Sequence, residues 1–137
     1  MHSEFVIAIH SLVLLAYTPD RLRTSDNIAN SIVIHPVRVR KVLSVLRKHG
    51  YIASKEGAKG GFYLSRVPDA IHLDELYALF TDGSVMPKWP ELNPKCPIGG
   101  HIETAMEGIF EAGEQELKRH FHQYTIADVL ERVQHTT

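Results

Sequence analysis

The chain has 137 residues, 44% of them hydrophobic and 23% charged, which is the composition of a soluble globular protein with one hydrophobic core. It contains no run of about 18 or more apolar residues, and Glu4, His10 and the lack of a basic leading segment argue against a signal peptide. We therefore expect a cytoplasmic protein without a membrane-spanning segment.

The formal net charge of −1 conceals a strong asymmetry along the chain. Residues 21–66 carry ten Lys or Arg against Asp26 and Glu56, a balance of +8, whereas the remainder carries five against fourteen, a balance of −9. A cationic block within an otherwise acidic chain predicts binding to a polyanion such as nucleic acid. The alternative is an unevenly charged surface that binds nothing.

Residues 4–17 are rich in apolar side chains at helical spacing, and they predict a largely buried first helix. Pro19 and Asp20 end this helix. His10 falls beside the apolar stripe, so we expect it to be partly buried or at an interface, and we assign it no function. The stripe consists of Phe5, Ala8, Ile9, Leu12, Val13 and Ala16.

Two further helices follow, and together they predict a helix-turn-helix. Thr24 and Ser25 suit the cap of a short helix over 26–31, in which Ile28 and Ala29 face inward. The next helix begins near Pro36 and ends before Gly50. Its apolar stripe consists of Val39, Val42, Leu43 and Leu46, and its opposite, cationic face includes Val37, Arg38, Lys41, Ser44 and Lys48.

The cationic helix is predicted to lie in the major groove of double-stranded DNA. Arg38 and Lys41 can donate to guanine O6 and N7, and Val37 can contact a thymine methyl group. Thr24, Ser25 and the amides at the start of the preceding helix suit phosphate contacts, because a helix N-terminus offers unpaired N–H groups.

Residues 51–56 and 62–66 predict two strands, joined by the glycine-rich segment 57–61, which suits the tip of a hairpin. This hairpin would form the wing of a winged helix-turn-helix. Lys55 and Lys59 on the wing are expected to reach phosphates or an adjacent minor groove.

After the wing, a helix over 71–80 is expected to cover the core, and residues 81–97 contain four of the seven prolines and predict a loop in which Trp89 packs on a neighbour. A long helix is predicted from Pro97 to about Tyr124, followed by an amphipathic helix that Thr125 caps and that packs on the dimer. One apolar row of the long helix contains Ile98, Ile102, Ala105, Ile109 and Ala112, and a second contains Met106, Phe110, Leu117, Phe121 and Tyr124.

Two apolar rows imply two partners, and we expect these to be the domain itself and a second subunit. The predicted fold is therefore mainly α with a small β-hairpin wing: a winged helix-turn-helix plus a long C-terminal dimerisation helix. We divide the chain into a DNA-binding domain over 1–82, a loop or crossover over 83–97, and dimerisation helices over 98–137.

Several segments resemble the Rrf-two (Rrf2) family of bacterial winged-helix regulators, which includes IscR, NsrR and CymR. They are SDNIANSIVIHPVRVRKVL from Ser25, LRKHGYI from Leu46 and SKEGAKGGFYL from Ser54. NPKCPIGGHI from Asn93 and TIADVL from Thr125 are similar to a subgroup that keeps one cysteine there. The resemblance implies a homodimeric transcription factor, usually a repressor, in which the long helix swaps across the dimer.

The chain departs from this family at three places. Members that sense iron, sulfur or nitric oxide carry three cysteines in the segment where Cys96 stands alone, so we expect no iron–sulfur cluster. The wing arginine of some members corresponds to Glu56, which would repel phosphate. The family's aromatic residue at the start of the recognition helix corresponds to Arg38, which implies a different operator.

Cys96 has two interpretations. It precedes Pro97 at the expected N-cap of the long helix, beside Lys95, where amides and a cation would lower the pKa of its thiol and favour a redox or electrophile switch. Alternatively, it is a small apolar residue that fills the start of the helix. His120 and His122 are two residues apart and face different sides of a helix, so we predict no metal site.

Three functions from different classes are compatible with the sequence. The first is a dimeric DNA-binding repressor, with or without a switch at Cys96, that binds a palindromic operator. The second is a winged-helix protein-interaction module that does not bind DNA. The third is a thiol enzyme with Cys96 as nucleophile, which the lack of an identifiable histidine and carboxylate partner disfavours.

Overall fold

A computed structural model describes residues 3–82 and 88–136. These residues form six α-helices and one antiparallel hairpin, so the predicted fold class is confirmed. None of the described helices is long and apolar enough to cross a membrane. The elements are α1 (Ser3–Tyr17), α2 (Ser25–Ile32), α3 (Pro36–Lys48), β1 (Ile52–Lys55), β2 (Gly61–Leu64), α4 (Leu73–Phe80), α5 (Ile102–His122) and α6 (Ile126–His135).

Helix α1 lies at the centre of the fold and packs against α3, α4 and α6. The predicted stripe was partly wrong, because Phe5, Ile9 and Val13 are only half-buried, whereas Ile7 and Leu15 lie in the core. A helix with neighbours on several sides buries more than one narrow stripe, so its apolar periodicity does not mark a single inner face. The buried Ser11 hydroxyl is satisfied within the helix, since it donates to the carbonyl oxygen of Ile7 at 2.7 Å.

Helices α2 and α3 form the predicted helix-turn-helix, and local side chains fix both of their starts. Thr24 caps α2, because its Oγ1 accepts from the amide of Asn27 at 3.1 Å. His35 caps α3, where its Nδ1 accepts from the amide of Val37 at 3.1 Å. All four predicted core residues of α3 are fully buried, and they are Val39, Val42, Leu43 and Leu46.

The wing is a short hairpin that is fastened to the segment ahead of α2. Arg23 and Phe62 exchange two backbone hydrogen bonds, of 3.1 and 2.7 Å, beside the end of β2. Gly61 is required there, because its φ is +154° and a Cβ atom would lie 2.9 Å from the carbonyl oxygen of Arg23. Each strand has four residues and is shorter than predicted, since the chain bends at Tyr51 and again at Ser65 and Arg66.

A second backbone bridge joins the start of α4 to the start of α6. The amide of Leu73 donates to the carbonyl of Tyr124 at 2.9 Å, and the amide of Ile126 donates to the carbonyl of Ile71 at 2.9 Å. Ile71 is fully buried in this bridge, so the covering helix begins two residues later than predicted. Ile126 is also fully buried, which places α6 against the core of its own chain.

The predicted start of the long helix was wrong. Residues 94–101 form turns, and α5 begins at Ile102 and spans about 31 Å. Gly99 permits these turns, because a Cβ atom at that position would lie 2.8 Å from the carbonyl oxygen of Asn93. Residues 83–87 of the predicted loop lie outside the described residues. Trp89 is half-buried, and its ring centre lies 6.2 Å from that of Phe110 on α5.

Candidate nucleic-acid interface

The outer face of α3 is exposed, as predicted. Val37 is 55% exposed, and the side chain of Lys41 is 71% exposed, while Arg38 lies beside them on the surface. The buried stripe on the opposite side holds the helix against the core, so packing fixes which face of α3 is presented to solvent. An exposed apolar side chain beside two cations can contact a base methyl group while the cations contact base-edge acceptors.

The start of α1 holds both cations of this face in place. The Nζ of Lys41 lies 3.0 Å from Oε1 of Glu4, and the Arg38 guanidinium donates to the Ser3 hydroxyl at 2.5 Å. Both contacts are at the surface, where an ion pair such as Lys41–Glu4 contributes about 0 to 1 kcal/mol, so DNA can displace them at low cost. The sequence pattern did not indicate this contribution of Ser3 and Glu4, because it depends on the packing of α1 across α3.

Thr24 and Ser25 stand at the start of α2, as expected for phosphate contacts. The Thr24 oxygen already accepts from Asn27, so its hydroxyl hydrogen and the free amides of the first turn are the groups that remain for an anion. Ser25 is half-buried. Because Thr24 follows the bridged residue Arg23, the start of α2 lies next to the wing.

The wing presents Lys55 and Lys59 to solvent, together with Glu56. Lys55 is paired with Gly61 across the hairpin, and Gly61 adjoins the Arg23 bridge. Lys55 is therefore tied to the start of α2, whereas Lys59 lies in the turn at the tip. The role of Arg23 in fastening the wing was not predicted from the sequence, because it depends on a backbone contact with Phe62, 39 positions away.

One apolar row of α5 is largely uncovered in the single chain. Ile109 is 63% exposed, and Ala105 and Ala112 are exposed on the same side. Ile98, predicted as the first member of this row, precedes the helix and is 69% exposed. The second row is half-buried, and Phe121 packs against the rings of Phe5 and Tyr77 at 5.6 Å.

A groove of about 730 Å³ lies between α1 and α6 on another part of the surface. Its lining is mainly apolar and includes Val6, Ile9, Val13, Val129 and Leu130. His10 also lines the groove, where its Nε2 lies 2.8 Å from the Ser31 hydroxyl, and burial lowers the pKa of this imidazole. His10 is thus half-buried, as expected.

Cys96 lies in the turns ahead of α5, so its predicted position at the N-cap of the long helix was wrong, and His101 occupies that position. The amides at the start of the long helix, which were predicted to lower the pKa of this thiol, are replaced by amides within the turns. Backbone N–H groups of Gly99 and Ile98 donate to the sulfur and lower the pKa of Cys96, and they outweigh the opposing effect of desolvation. Cys96 is a half-buried, free thiol.

A helix-turn-helix with a cationic exposed helix and a hairpin wing defines the winged-helix class of DNA-associated proteins. Comparison with known proteins gives the family. The model of the Rrf2 family, described as iron-dependent transcriptional regulators, matches residues 1–132. The chain belongs to the Rrf2 family of transcriptional regulators, which are not enzymes.

Known relatives agree with this membership over nearly their whole length. YwnA of Bacillus subtilis, named as an HTH-type transcriptional regulator, is 30% identical over 131 residues, which are 95% of this chain and 96% of YwnA. The crystal structure of a transcriptional regulator from Lactobacillus plantarum has a TM-score of 0.82 at 29% identity and covers 98% of this chain and 92% of its own. The structure of T. potens IscR shares the fold, with a TM-score of 0.75 at 19% identity and coverage of 97% and 87%.

Because the family description refers to iron, the number of cysteines can be compared with the number that an iron–sulfur cluster takes. Such clusters are held by several cysteine thiolates. The chain has a single cysteine, Cys96, and a two-fold pair of chains would supply only two. One thiolate per chain is fewer than such a cluster usually takes.

Proposed function

We propose that the protein is a homodimeric, sequence-specific DNA-binding repressor that recognises a palindromic operator. The observation that carries this proposal is the exposed face of α3 with Val37, Arg38 and Lys41, which is held outward by four fully buried residues. Base contacts from this face would provide specificity. Thr24, Ser25, Lys55 and Lys59 would hold the backbone, and the protein would work without an iron–sulfur cluster.

The test is binding of the purified protein to the DNA upstream of its own gene, at a series of salt concentrations. A dimer that neutralises about six phosphates should lose about 10³-fold in affinity between 50 and 200 mM salt, because binding releases condensed counterions. Half-sites should lie about one helical turn apart, or a multiple of it. An affinity that does not change with salt, or no binding at all, would instead favour a protein-interaction module.

The dimer would form through α5. The uncovered row of α5 is apolar, as is the groove between α1 and α6, and neither surface is covered within one chain. The row includes Ile102, Ala105, Ile109 and Ala112. Insertion of the row of each chain into the groove of the other would satisfy two-fold symmetry, because each subunit supplies one of each surface. The half-buried His10 would then lie inside the interface.

We propose Cys96 as a thiol switch of this repressor. Oxidation of the two Cys96 thiolates of a dimer by diamide would form one disulfide and reduce the diamide to its hydrazine. Because the pKa of Cys96 is lowered, the rate of its alkylation should rise with pH at a lower midpoint than that of an ordinary thiol. The same chain unfolded in urea is the matched reference.

Two variants test the proposed role of Cys96. We expect Cys96→Ser to abolish any response of DNA binding to diamide, and we expect Gly99→Ala to move the alkylation midpoint of Cys96 upward, because the added Cβ atom disrupts the turn. A diamide response that persists in Cys96→Ser would exclude this residue as the switch. Equal midpoints in the folded and the unfolded chain would show that the turn does not activate the thiol.

A further inference from the structure

Three side chains with metal-binding atoms meet where α4 begins and α5 ends. They are His72, Asp74 and His122, and one ligand atom from each lies within 4.8 Å of the other two. His72 immediately precedes α4, Asp74 is in the first turn of that helix, and His122 is the final residue of α5. No metal site was predicted from the sequence, because the members of this group are up to 50 positions apart.

The backbone around this group is held rigidly. The two hydrogen bonds that join residues 71 and 73 to residues 126 and 124 flank His72, and they connect directly to the end of α5. The carboxylate of Glu75 also accepts from the amide of His72 at 3.0 Å. These hydrogen bonds fix the backbone that carries His72 before an ion binds.

The hydrogen bonding of His72 suits a metal ligand. Its Nδ1 lies 2.8 Å from the carbonyl oxygen of His122, which can only accept, so Nδ1 is the donor, and in the neutral imidazole the lone pair is on Nε2. Histidines that bind metals usually donate their second ring nitrogen to a carbonyl or carboxylate in this way, which fixes the tautomer and the ring orientation.

The spacing of the other two ligands is also suitable. The Nδ1 of His122 lies 3.1 Å from Oδ2 of Asp74 and 3.2 Å from Oδ1. Two atoms bound to one ion at about 2.1 Å, at tetrahedral or octahedral angles, lie about 3.0 to 3.4 Å apart. The rings of His72 and His122 are stacked with their centres 4.5 Å apart and 17° between their planes, so their in-plane lone pairs are nearly parallel. The side chain of His122, which is 65% exposed, must therefore turn for both rings to reach a shared ion.

We propose that His72, Asp74 and His122 bind one divalent transition-metal ion of the class that prefers imidazole and carboxylate, such as Zn²⁺, with water completing its coordination. This goes beyond the DNA-binding function and does not depend on it. The bound ion would fasten the winged-helix core to the end of α5, so that metal binding stabilises the junction between them. Without a metal, Nδ1 of His122 and the carboxylate of Asp74 lie at hydrogen-bond distance from each other.

The test uses the full, untagged chain without DNA, titrated with Zn²⁺ by calorimetry and with Co²⁺ by visible absorption. We expect one ion per chain, a visible Co²⁺ band and a higher melting temperature with Zn²⁺. Asp74→Asn and His122→Ala should each weaken binding by at least about tenfold, because each removes a ligand. His49→Ala removes an exposed histidine outside the cluster and should leave the affinity unchanged.

Folding of the variants is checked by their melting temperature without metal, and His122→Gln provides a second, milder change at an exposed position. The proposal is overturned if the wild type binds no Zn²⁺. It is equally overturned if folded Asp74→Asn and His122→Gln bind Zn²⁺ as tightly as the wild type and His49→Ala. The second result would identify the group as an ordinary hydrogen-bonded cluster and would leave the DNA-binding proposal unaffected.

Discussion

Ile109→Asp is expected to convert the protein into a monomer and to weaken operator binding by about 10² to 10⁴-fold, because two linked half-site contacts become one. Ile109 lies in the middle of the uncovered row of α5 and is 63% exposed in the single chain. In the proposed dimer it enters the apolar groove between α1 and α6. A carboxylate carried into such a groove loses its hydration without gaining a partner, and this cost opposes association.

The measurement is the molar mass in solution, together with operator affinity by fluorescence anisotropy. Thr104→Asp is the matched control, since it adds the same carboxylate to the exposed side of α5 that faces away from both apolar rows. Because Ile109 is exposed in the single chain, the helix content of the variant should not change. A dimer that persists in Ile109→Asp would place the interface elsewhere.

Arg38→Ala and Lys41→Ala are each expected to reduce the preference for operator over random DNA by about tenfold, the effect of losing one good base contact of about 1 to 3 kcal/mol. Both side chains point outward from α3 and make surface contacts with Ser3 and Glu4. A guanine edge offers two acceptors to either cation, and the surface pairs contribute too little to prevent the exchange.

Lys59→Ala serves as the comparison for both recognition variants. Lys59 lies at the tip of the wing, where a phosphate contact is expected, so its loss should weaken operator and random DNA alike and make the salt dependence less steep. Affinities of all three variants would be measured on both DNAs at two salt concentrations. If all three lose affinity equally on operator and random DNA, α3 does not read the bases.

The features that were predicted correctly are those that depend on nearby residues. The stripe of α3 from Val39 to Leu46, the cap at Thr24 and the cap at Thr125 are each determined within one or two turns of chain. At Thr125, for example, Asp128 accepts from the backbone amide at 2.8 Å, three residues along. Local spacing and side-chain chemistry are sufficient to place such features.

The features that were missed depend on contacts between distant residues. Pro97 has the chemistry of a first helical position, yet close approaches at Gly99 and Gly100 fold the segment into turns and delay α5 to Ile102. The Arg23 bridge and the cluster around His72 each join segments far apart in the chain. The roles of the predicted DNA-contacting residues remain predictions, because they depend on a partner as well as on the fold.

The burial of Ile126 affects the stage of synthesis at which the chain can bind DNA stably. Its side chain is fully buried among core residues that come mostly from the first 80 positions, and its amide bonds to Ile71. The core around the DNA-binding helices therefore lacks one of its fully buried side chains until residue 126 has left the ribosome. A nascent chain from which α3 but not α6 has emerged still lacks part of its core. Stable DNA binding should therefore begin only in a chain that also carries α5, through which the dimer is proposed to form.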